Sequence, residues 1–503
     1  MASVATASVA VATAASVSIL PLALGGVLLA ALYARSAPPS WGRHRHGRGA
    51  RWARRFDLRP LLLDRRAPHP GRLALGTVPG LLYPILVGAE RAQSVVVVGP
   101  TQSGKTTSLA VPAILDWEGP VVAASVKSDL LRHTQARRNE RGRIWCIDPA
   151  GATGARATTW SPLTSCGAWE EARHMASDLA ESAKADGTTA DGEFWYATAA
   201  KLLAPLLFAA ALDGRSMAEV LRWVDTQEAG EVSLILEQAG VGEAVDAARA
   251  SWCRDERTRS SVYTTAESIL APFAGGGARE RAGFEPGDLL GGCHTLYLCA
   301  PAHDQRRLRG YFTALTQQVL VQAFARATRA GTALDPPLLV VLDEAAHIAP
   351  LPELDGLAAT CASHGIQLVT VWQDVAQVRA RYGARAPTVM NNHRAKIFLP
   401  GIADPDTLEY ASRLIGEEEV TTPSVTRDAH GGRSTTSTSG PRRLLPPEEL
   451  RCLRRGQAVL VYGTLPPARL HLRPWWAGAR RRLVRPPRGR FPPAGLPPTP
   501  GKA

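Results

Sequence analysis

Paired cysteine is the first thing this sequence lacks. Seven cysteines are spread over 503 residues, at 146, 166, 253, 293, 299, 361 and 452, with no C-x-x-C among them. That spacing excludes a zinc ribbon and a dithiol redox motif. Several lie in apolar runs, so they read as small buried hydrophobes in a reducing compartment. His44 and His46 stand among arginines and read as solvated basic surface rather than as a metal site. Lysine is scarce too, six against 52 arginines, which singles out Lys105, Lys127 and Lys396.

Charge is absent from residues 2–34. Val11–Ala34 exceeds the roughly 20 residues that cross a bilayer. No positive segment precedes it, as a signal peptide would need, and a basic cluster follows. The pattern therefore predicts a single-pass anchor in the cytoplasmic membrane, N-terminus outside and the remainder cytoplasmic. A second apolar run, Leu81–Ala89, is too short to span.

Acids are missing from Arg469–Ala503, which holds eight Arg and Lys502, and nearly missing from Arg35–Arg72, where eleven Arg face Asp57 and Asp64. These two flanks account for more than the whole net charge of +13, so the body between them is acidic. A nucleic-acid surface on the core must then be local. The first flank suits anionic headgroups beside a membrane anchor.

What the sequence has is Ser94–Thr107, SVVVVGPTQSGKTT. A β-branched strand runs into Gly99-Pro100-Thr101-Gln102-Ser103-Gly104-Lys105-Thr106, followed by Thr107 and a helix-compatible run to Leu115. This is G-x-x-x-x-G-K-[ST] between strand and helix, the phosphate-cradling loop (Walker A). Gly99 and Gly104 let the backbone turn tightly, and successive N–H groups face the phosphates. Lys105 reaches the β- and γ-phosphates, and the Thr106 hydroxyl holds Mg²⁺. ATP and Mg²⁺ are the cofactors expected.

Leu338–Glu344, LLVVLDE, is an apolar strand ending in two carboxylates (Walker B). Asp343 is placed to hold Mg²⁺ and Glu344 to activate the attacking water. Gln373 ends the next strand, Ile366–Gln373. Its amide either senses the γ-phosphate or bonds the backbone.

Between these motifs the rhythm changes. Val121–Lys127 and Ile144–Pro149 read as strands and Asp129–Arg141 as a helix, the start of a parallel doubly wound sheet. From about Thr164 to Leu290 the apolar spacing is helical, with Trp169, Trp195, Trp223 and Trp252 as core anchors. Strand patterns then resume at Thr295–Pro301, Leu338–Glu344, Lys396–Leu399 and Val459–Tyr462. The expected plan is an anchor over 1–34, a basic linker over 35–72 and a nucleotide-binding α/β domain split between 73–163 and 291–476. An all-α domain is inserted at 164–290, and a Pro/Arg-rich disordered tail covers 477–503. Thr421–Pro441, rich in Ser, Thr and Gly, reads as a mobile loop.

GPTQSGKTT, SVKSDL (Ser125–Leu130), IDP (Ile147–Pro149), WSPL (Trp160–Leu163), FW (Phe194-Trp195), LDEAAHIAPLPEL (Leu342–Leu354) and WQDVAQVRARYG (Trp372–Gly383) occur in that order. Together they resemble the type IV secretion coupling proteins, the TraG/TraD-like conjugative DNA-transfer ATPases. The resemblance covers about Arg72–Trp476. It implies a RecA-like motor assembled as a homo-hexamer, driving a relaxase-bound DNA strand, single-stranded in this reading, into a secretion channel. The helical insertion would recruit substrate. A neighbour's arginine would complete each site. The family often places that arginine before a glycine where this chain has Ser363-His364-Gly365, so Arg394 is the candidate replacement. Family members commonly have two membrane spans, whereas this chain shows one. Two other readings stay open: an FtsK-like double-stranded DNA translocase and a protein-export adaptor ATPase.

Overall fold

Four consecutive valines, Val95–Val98, are buried on both faces, which only a central strand of a covered sheet allows. In the computed structural model, which describes residues 49–64, 69–80, 83–155, 158–184, 190–274, 283–427 and 433–477, they form β4. The other sheet strands in chain order are β1 (Leu62–Leu63), β2 (Ala74–Val78), β3 (Ile85–Gly88), β5 (Val121–Ser125), β6 (Ile144–Ile147), β7 (Thr295–Cys299), β8 (Leu338–Asp343), β9 (Ile366–Trp372) and β10 (Ala395–Phe398). After the ribbon strands β11 (Glu417–Arg427) and β12 (Arg433–Arg443) come β13 (Gln457–Tyr462) and β14 (Ala468–His471).

One twelve-stranded sheet has the order β1-β3-β2-β14-β13-β10-β4-β9-β8-β5-β7-β6. The run from β10 to β6 is parallel, and the strands from β13 to β1 continue it antiparallel. The fold is thus mixed α/β with a large, mostly parallel sheet. The strand carrying the phosphate loop is separated from the carboxylate strand by β9 alone.

Alternation along each strand divides the core. Val95, Val97, Val121, Ala123, Val341 and Val371 pack with Ile114 and Leu115 of α1 (Val111–Asp116) and Leu130 and Leu131 of α2 (Asp129–Arg141). Val96, Val98, Val122, Ala124, Val340 and Trp372 face the helical stretch and share one continuous core with it. Helices α3 (Trp169–Ala183) and α4 (Ala190–Leu212) lead that stretch, and no strand interrupts it among the described residues. Residues 49–503 cluster as one compact unit, so these helices are packed into the sheet's core and not walled off from it. Trp223 is fully buried there, while Trp169, Trp195 and Trp252 pack partly buried against the same core.

Arg138 of α2 shows why the amino edge of the sheet is rigid. It is fully buried and donates to Thr295 Oγ1 at 2.7 Å and to the carbonyls of Trp117 at 2.6 Å, Gly119 at 2.7 Å, Cys293 at 3.0 Å and His294 at 3.3 Å. Burial pulls its pKa down to about 10, so it stays charged.

One expectation is corrected. The described residues of Thr421–Pro441 belong to a two-stranded ribbon and not a loop, with β11 and β12 in register from Glu417↔Arg443 to Arg427↔Arg433. Thr and Val favour extended backbone, but both ribbon faces are polar, so no apolar alternation announces it. Arg443 anchors its root on Glu409 through bonds of 2.5 and 2.7 Å.

Among the described residues one helix, Asp191–Leu212, is long and apolar enough to cross a membrane. Most of it is buried in the helical layer. The expected anchor at Val11–Ala34 and the tail at Arg480–Ala503 lie outside the described residues.

Candidate nucleotide-binding site

Parallel pairing brings the motif residues to one edge. Val98 aligns with Trp372, Ser125 with Asp343 and Leu342 with Thr370, so the residues that follow these strands emerge side by side. Ligands gather at the carboxyl ends of strands in open α/β sheets.

The loop Gly99–Thr106 is shaped by contacts that side chains would spoil. A Cβ on Gly99 would stand 2.7 Å from Leu399 Cβ and 3.0 Å from Ser103 Oγ. Gly104 adopts φ +98°, which only glycine takes without strain. Gln102, with φ 62°, is left-handed as well, so successive amides turn inward to form an anion-binding concavity. The Gly99 amide donates to Trp372 O at 3.1 Å and fixes the loop's root to β9. A single π-type turn, Thr106–Ala110, then opens into α1. The Thr107 carbonyl accepts from the Trp475 amide at 2.9 Å, and the Trp475 ring lies 4.6 Å from His133 of α2. The last described segment therefore straps the helix that follows the loop.

Lys105 is buried at 6 % exposure and folds back onto its own loop, donating to Gly99 O and, at 3.2 Å, to Pro100 O. Burial lowers its pKa, and Asp343, Glu344 and Asp374 oppose that shift. Thr106 Oγ1 donates to Asp343 Oδ2 at 2.8 Å. Asp343 is 4 % exposed, and its other oxygen, Oδ1, is buried without a hydrogen-bond partner. Burial pushes its carboxyl up to about 6; Glu344 adds to the rise, while the Thr106 bond, Lys105 and Lys127 counter it. A hydroxyl bonded to a buried carboxylate with one unsatisfied oxygen suits a hard divalent cation such as Mg²⁺. A buried ammonium one residue before that hydroxyl suits the phosphates.

Glu344 has φ 67°, a left-handed conformation that non-glycine residues rarely adopt. Its carbonyl accepts from the His347 and Ile348 amides at 2.9 and 3.2 Å, and the Ala345 amide returns to Val371 O at 3.0 Å. The strained residue sits at the functional edge, where such strain is found.

Gln373 follows β9, between the loop and the carboxylates, and its backbone N–H donates to Gln377 Oε1 at 3.0 Å. Arg394 is not part of this edge. It precedes β10 at the amino end, donates to Glu90 at 3.0 Å and lies over the Tyr462 ring at 5.6 Å. His364 stands edge-on to Phe324, with ring centroids 4.8 Å apart.

Two residues of the edge were quoted in motifs without a role. Lys127 follows β5 and bears electrostatically on both Lys105 and Asp343. Asp374 bears on Lys105 and caps the next helix by accepting from the Gln377 amide at 2.8 Å. Their signal was position: each follows a parallel strand end. Lys396, singled out by its rarity, has a structural role, donating to the carbonyls of His393 at 2.7 Å and Asn391 at 3.5 Å.

Comparison with known proteins gives the family and the fold. The family described as Type IV secretory system Conjugative DNA transfer matches residues 77–481. The Conjugal transfer protein TraG of Escherichia coli is 26% identical over 470 residues, covering 81% of this chain and 71% of that protein. Protein VirD4 of Rhizobium rhizogenes is 24% identical over 468 residues, covering 85% and 65%. Among solved structures, the plasmid coupling protein TrwB in complex with ADP and Mg²⁺ superposes with a TM-score of 0.63 at 20% identity, covering 86% of this chain and 97% of that one. TrwB in complex with the ATP analogue ADPNP gives 0.61, also at 20% identity, covering 85% and 94%.

Proposed function

The chain belongs to the type IV secretory system conjugative DNA transfer family, and from that premise we propose that it is the coupling ATPase of a conjugation system. It hydrolyses ATP and uses the energy to move a relaxase-bound, single-stranded DNA into a type IV secretion channel. The observation that carries this reading is the Thr106–Asp343 bond beside buried Lys105. Three residues from two distant motifs meet where a triphosphate and its metal would lie.

In this reading the loop amides of 99–107 and Lys105 bind the phosphates. Thr106 and Asp343 would hold Mg²⁺, which when bound would offset phosphate charge. Glu344 takes the proton of the attacking water, and Gln373 senses the outcome from its place between them. The solved TrwB complexes with ADP and Mg²⁺ and with ADPNP support these cofactors.

The finer parts of the proposal rest on resemblance and sequence. Subunits form a homo-hexamer in which Arg394 serves the neighbour's site. Residues 164–290 recruit substrate, and Val11–Ala34 anchors the chain in the cytoplasmic membrane with the motor inside. DNA is gripped through its backbone, so affinity falls steeply with salt.

The test is ATP turnover by the full chain with and without DNA. Stimulation by single strands is expected. Strong stimulation by duplex alone would replace the proposal with an FtsK-like translocase, and turnover indifferent to both would replace it with a protein-export adaptor.

A further inference from the structure

The loop that follows the carboxylate pair runs Ala345–Glu353 and contains Pro350 and Pro352. Proline has no N–H to offer a ladder, which leaves the carbonyls of this stretch to other donors. Three of them find their donors in one place. Arg381 Nη2 bonds Pro350 O at 3.4 Å, Tyr382 Oη bonds Leu351 O at 2.9 Å and Arg385 Nη2 bonds Pro352 O at 3.1 Å. Arg385 adds an ion pair to Asp355 at 3.3 Å. Three successive carbonyls are thus held from the far end of one short helix, Val375–Tyr382, and the turn Gly383–Arg385 that follows it.

That helix, Val375–Tyr382, begins at Asp374, the residue after Gln373. At 1.5 Å per residue it is about 12 Å long and too short to bend. Its first turn lies at the nucleotide edge and its last turn on the loop behind Asp343 and Glu344.

Arg381 does one thing more. Its Nη1 donates to Lys184 O at 3.2 Å, just beyond the last turn of α3, where Arg309 also donates at 3.4 Å. A guanidinium spreads several donors over a rigid plane, so one side chain binds both carbonyls at once. The neighbouring surface is close-packed as well: a Cβ on Gly310 would come within 3.7 Å of Ser182 O. Arg381 is half-buried among these contacts.

We propose that Arg381 is a positioning residue that ties the helical layer to the carboxylate pair, so that a change at the nucleotide edge reaches the end of α3 through it. The inference rests on the ATPase reading above, because it assigns the tie a part in coupling substrate to turnover. Arg381 touches neither nucleotide nor metal. Its loss leaves the Thr106–Asp343 pair in place and removes the bonds that join Pro350 O to Lys184 O.

The experiment uses the full chain and the variants Arg381→Ala and Arg381→Lys. Arg379→Ala is the control, since Arg379 lies on the same helix and pairs with exposed Asp406. Hydrogen exchange of the α3 amides is measured with and without ADPNP and Mg²⁺, beside nucleotide affinity and turnover. Wild type and Arg379→Ala should show a nucleotide-dependent change near Lys184. Arg381→Ala should lose that change while binding nucleotide like wild type, and its DNA stimulation should fall about 2- to 30-fold. Arg381→Lys should fail in the same way, because a point-like ammonium does not span two carbonyls.

A change near Lys184 that persists in Arg381→Ala would overturn the proposal, as would its absence from wild type. Equal loss of nucleotide affinity in both Arg381 variants would overturn it too, by making Arg381 a general support of the site. Absence of wild-type turnover would instead refute the ATPase reading, and the exchange measurement would still decide the tie.

Discussion

Replacing Asp343 by Asn should stabilise the protein and disable it. Asp343 is 4 % exposed with its carboxyl pushed up to about 6, first by burial and then by Glu344, against the pull of Thr106 and Lys105. The sign follows from linkage. The folded pKa is above the unfolded value, so folding takes up a proton between about pH 4 and pH 6, and the penalty of ionising the buried carboxylate grows over that range and is complete above it. Two pKa units correspond to roughly 3 kcal/mol at alkaline pH and to none near pH 4. The Asn carbonyl keeps the Thr106 bond, but its NH₂ falls where Oδ1 is already unpartnered, at a cost of about 1 kcal/mol. The net gain is about 1–2 kcal/mol at pH 8, a rise of roughly 1–2 °C in the unfolding midpoint of a chain this long, and it shrinks toward zero by pH 5. Thermal unfolding of the metal-free, nucleotide-free protein at both pH values measures this. Nucleotide titration with and without Mg²⁺ measures the other half, where the variant should lose the metal-dependent part of its affinity. A variant less stable than wild type at pH 8, or equally stabilised at pH 5 and pH 8, would refute the argument that Asp343 is held as a buried charge awaiting a cation.

Four further outcomes follow from the same contacts. Lys105→Ala should abolish ATP turnover with an unchanged circular dichroism spectrum, since the side chain reaches only the carbonyls of Gly99 and Pro100; residual wild-type turnover would place the phosphates elsewhere. Gly104→Ala should cost about 1–2 kcal/mol in loop strain and weaken nucleotide binding, because the added Cβ has room, with its nearest contact 3.4 Å away, but φ +98° does not suit it; unchanged affinity would show that the loop relaxes. Arg138→Ala should destabilise by about 3 kcal/mol or more in urea unfolding, because it strips donors from the buried carbonyls of Trp117 and Gly119, the half-buried ones of Cys293 and His294, and Thr295. Asp178, whose carboxyl burial lifts to about 6 while Gln318 and Gln317 donate at 3.0 and 2.8 Å, lowers stability by at most about 3 kcal/mol as pH rises from 4 past 6; Asp178→Asn should flatten that part of the stability–pH curve.

The parts of this molecule that sequence made legible are those in which local pattern and chemistry coincide. Val95–Val98 followed by a glycine loop leaves few alternatives, and Asp129–Arg141 is helical over the range its pattern predicts. Leu338–Asp343 likewise carries its carboxylates at a strand end. What stayed hidden is held together across long sequence separations by side chains bonding to backbone. Arg138 reaches Thr295, and Arg381 reaches Lys184 and Pro350. One arginine among 52 carries no mark of such a role, because a carbonyl acceptor belongs to every residue and leaves no trace in composition. The ribbon Glu417–Arg443 was missed for the opposite reason: polar on both faces, it lacks the alternation that betrays a strand. The same logic explains why Lys127 and Asp374 were visible as letters but not as site residues. Their place is set by the parallel register that puts Ser125 beside Asp343 and Val98 beside Trp372. Register is a property of the assembled sheet. Once it is known, every residue one or two positions past a parallel strand end becomes a candidate for the site, and that rule picks out Lys127, Glu344, Gln373 and Asp374 beside the phosphate loop while setting Arg394 apart at the other edge.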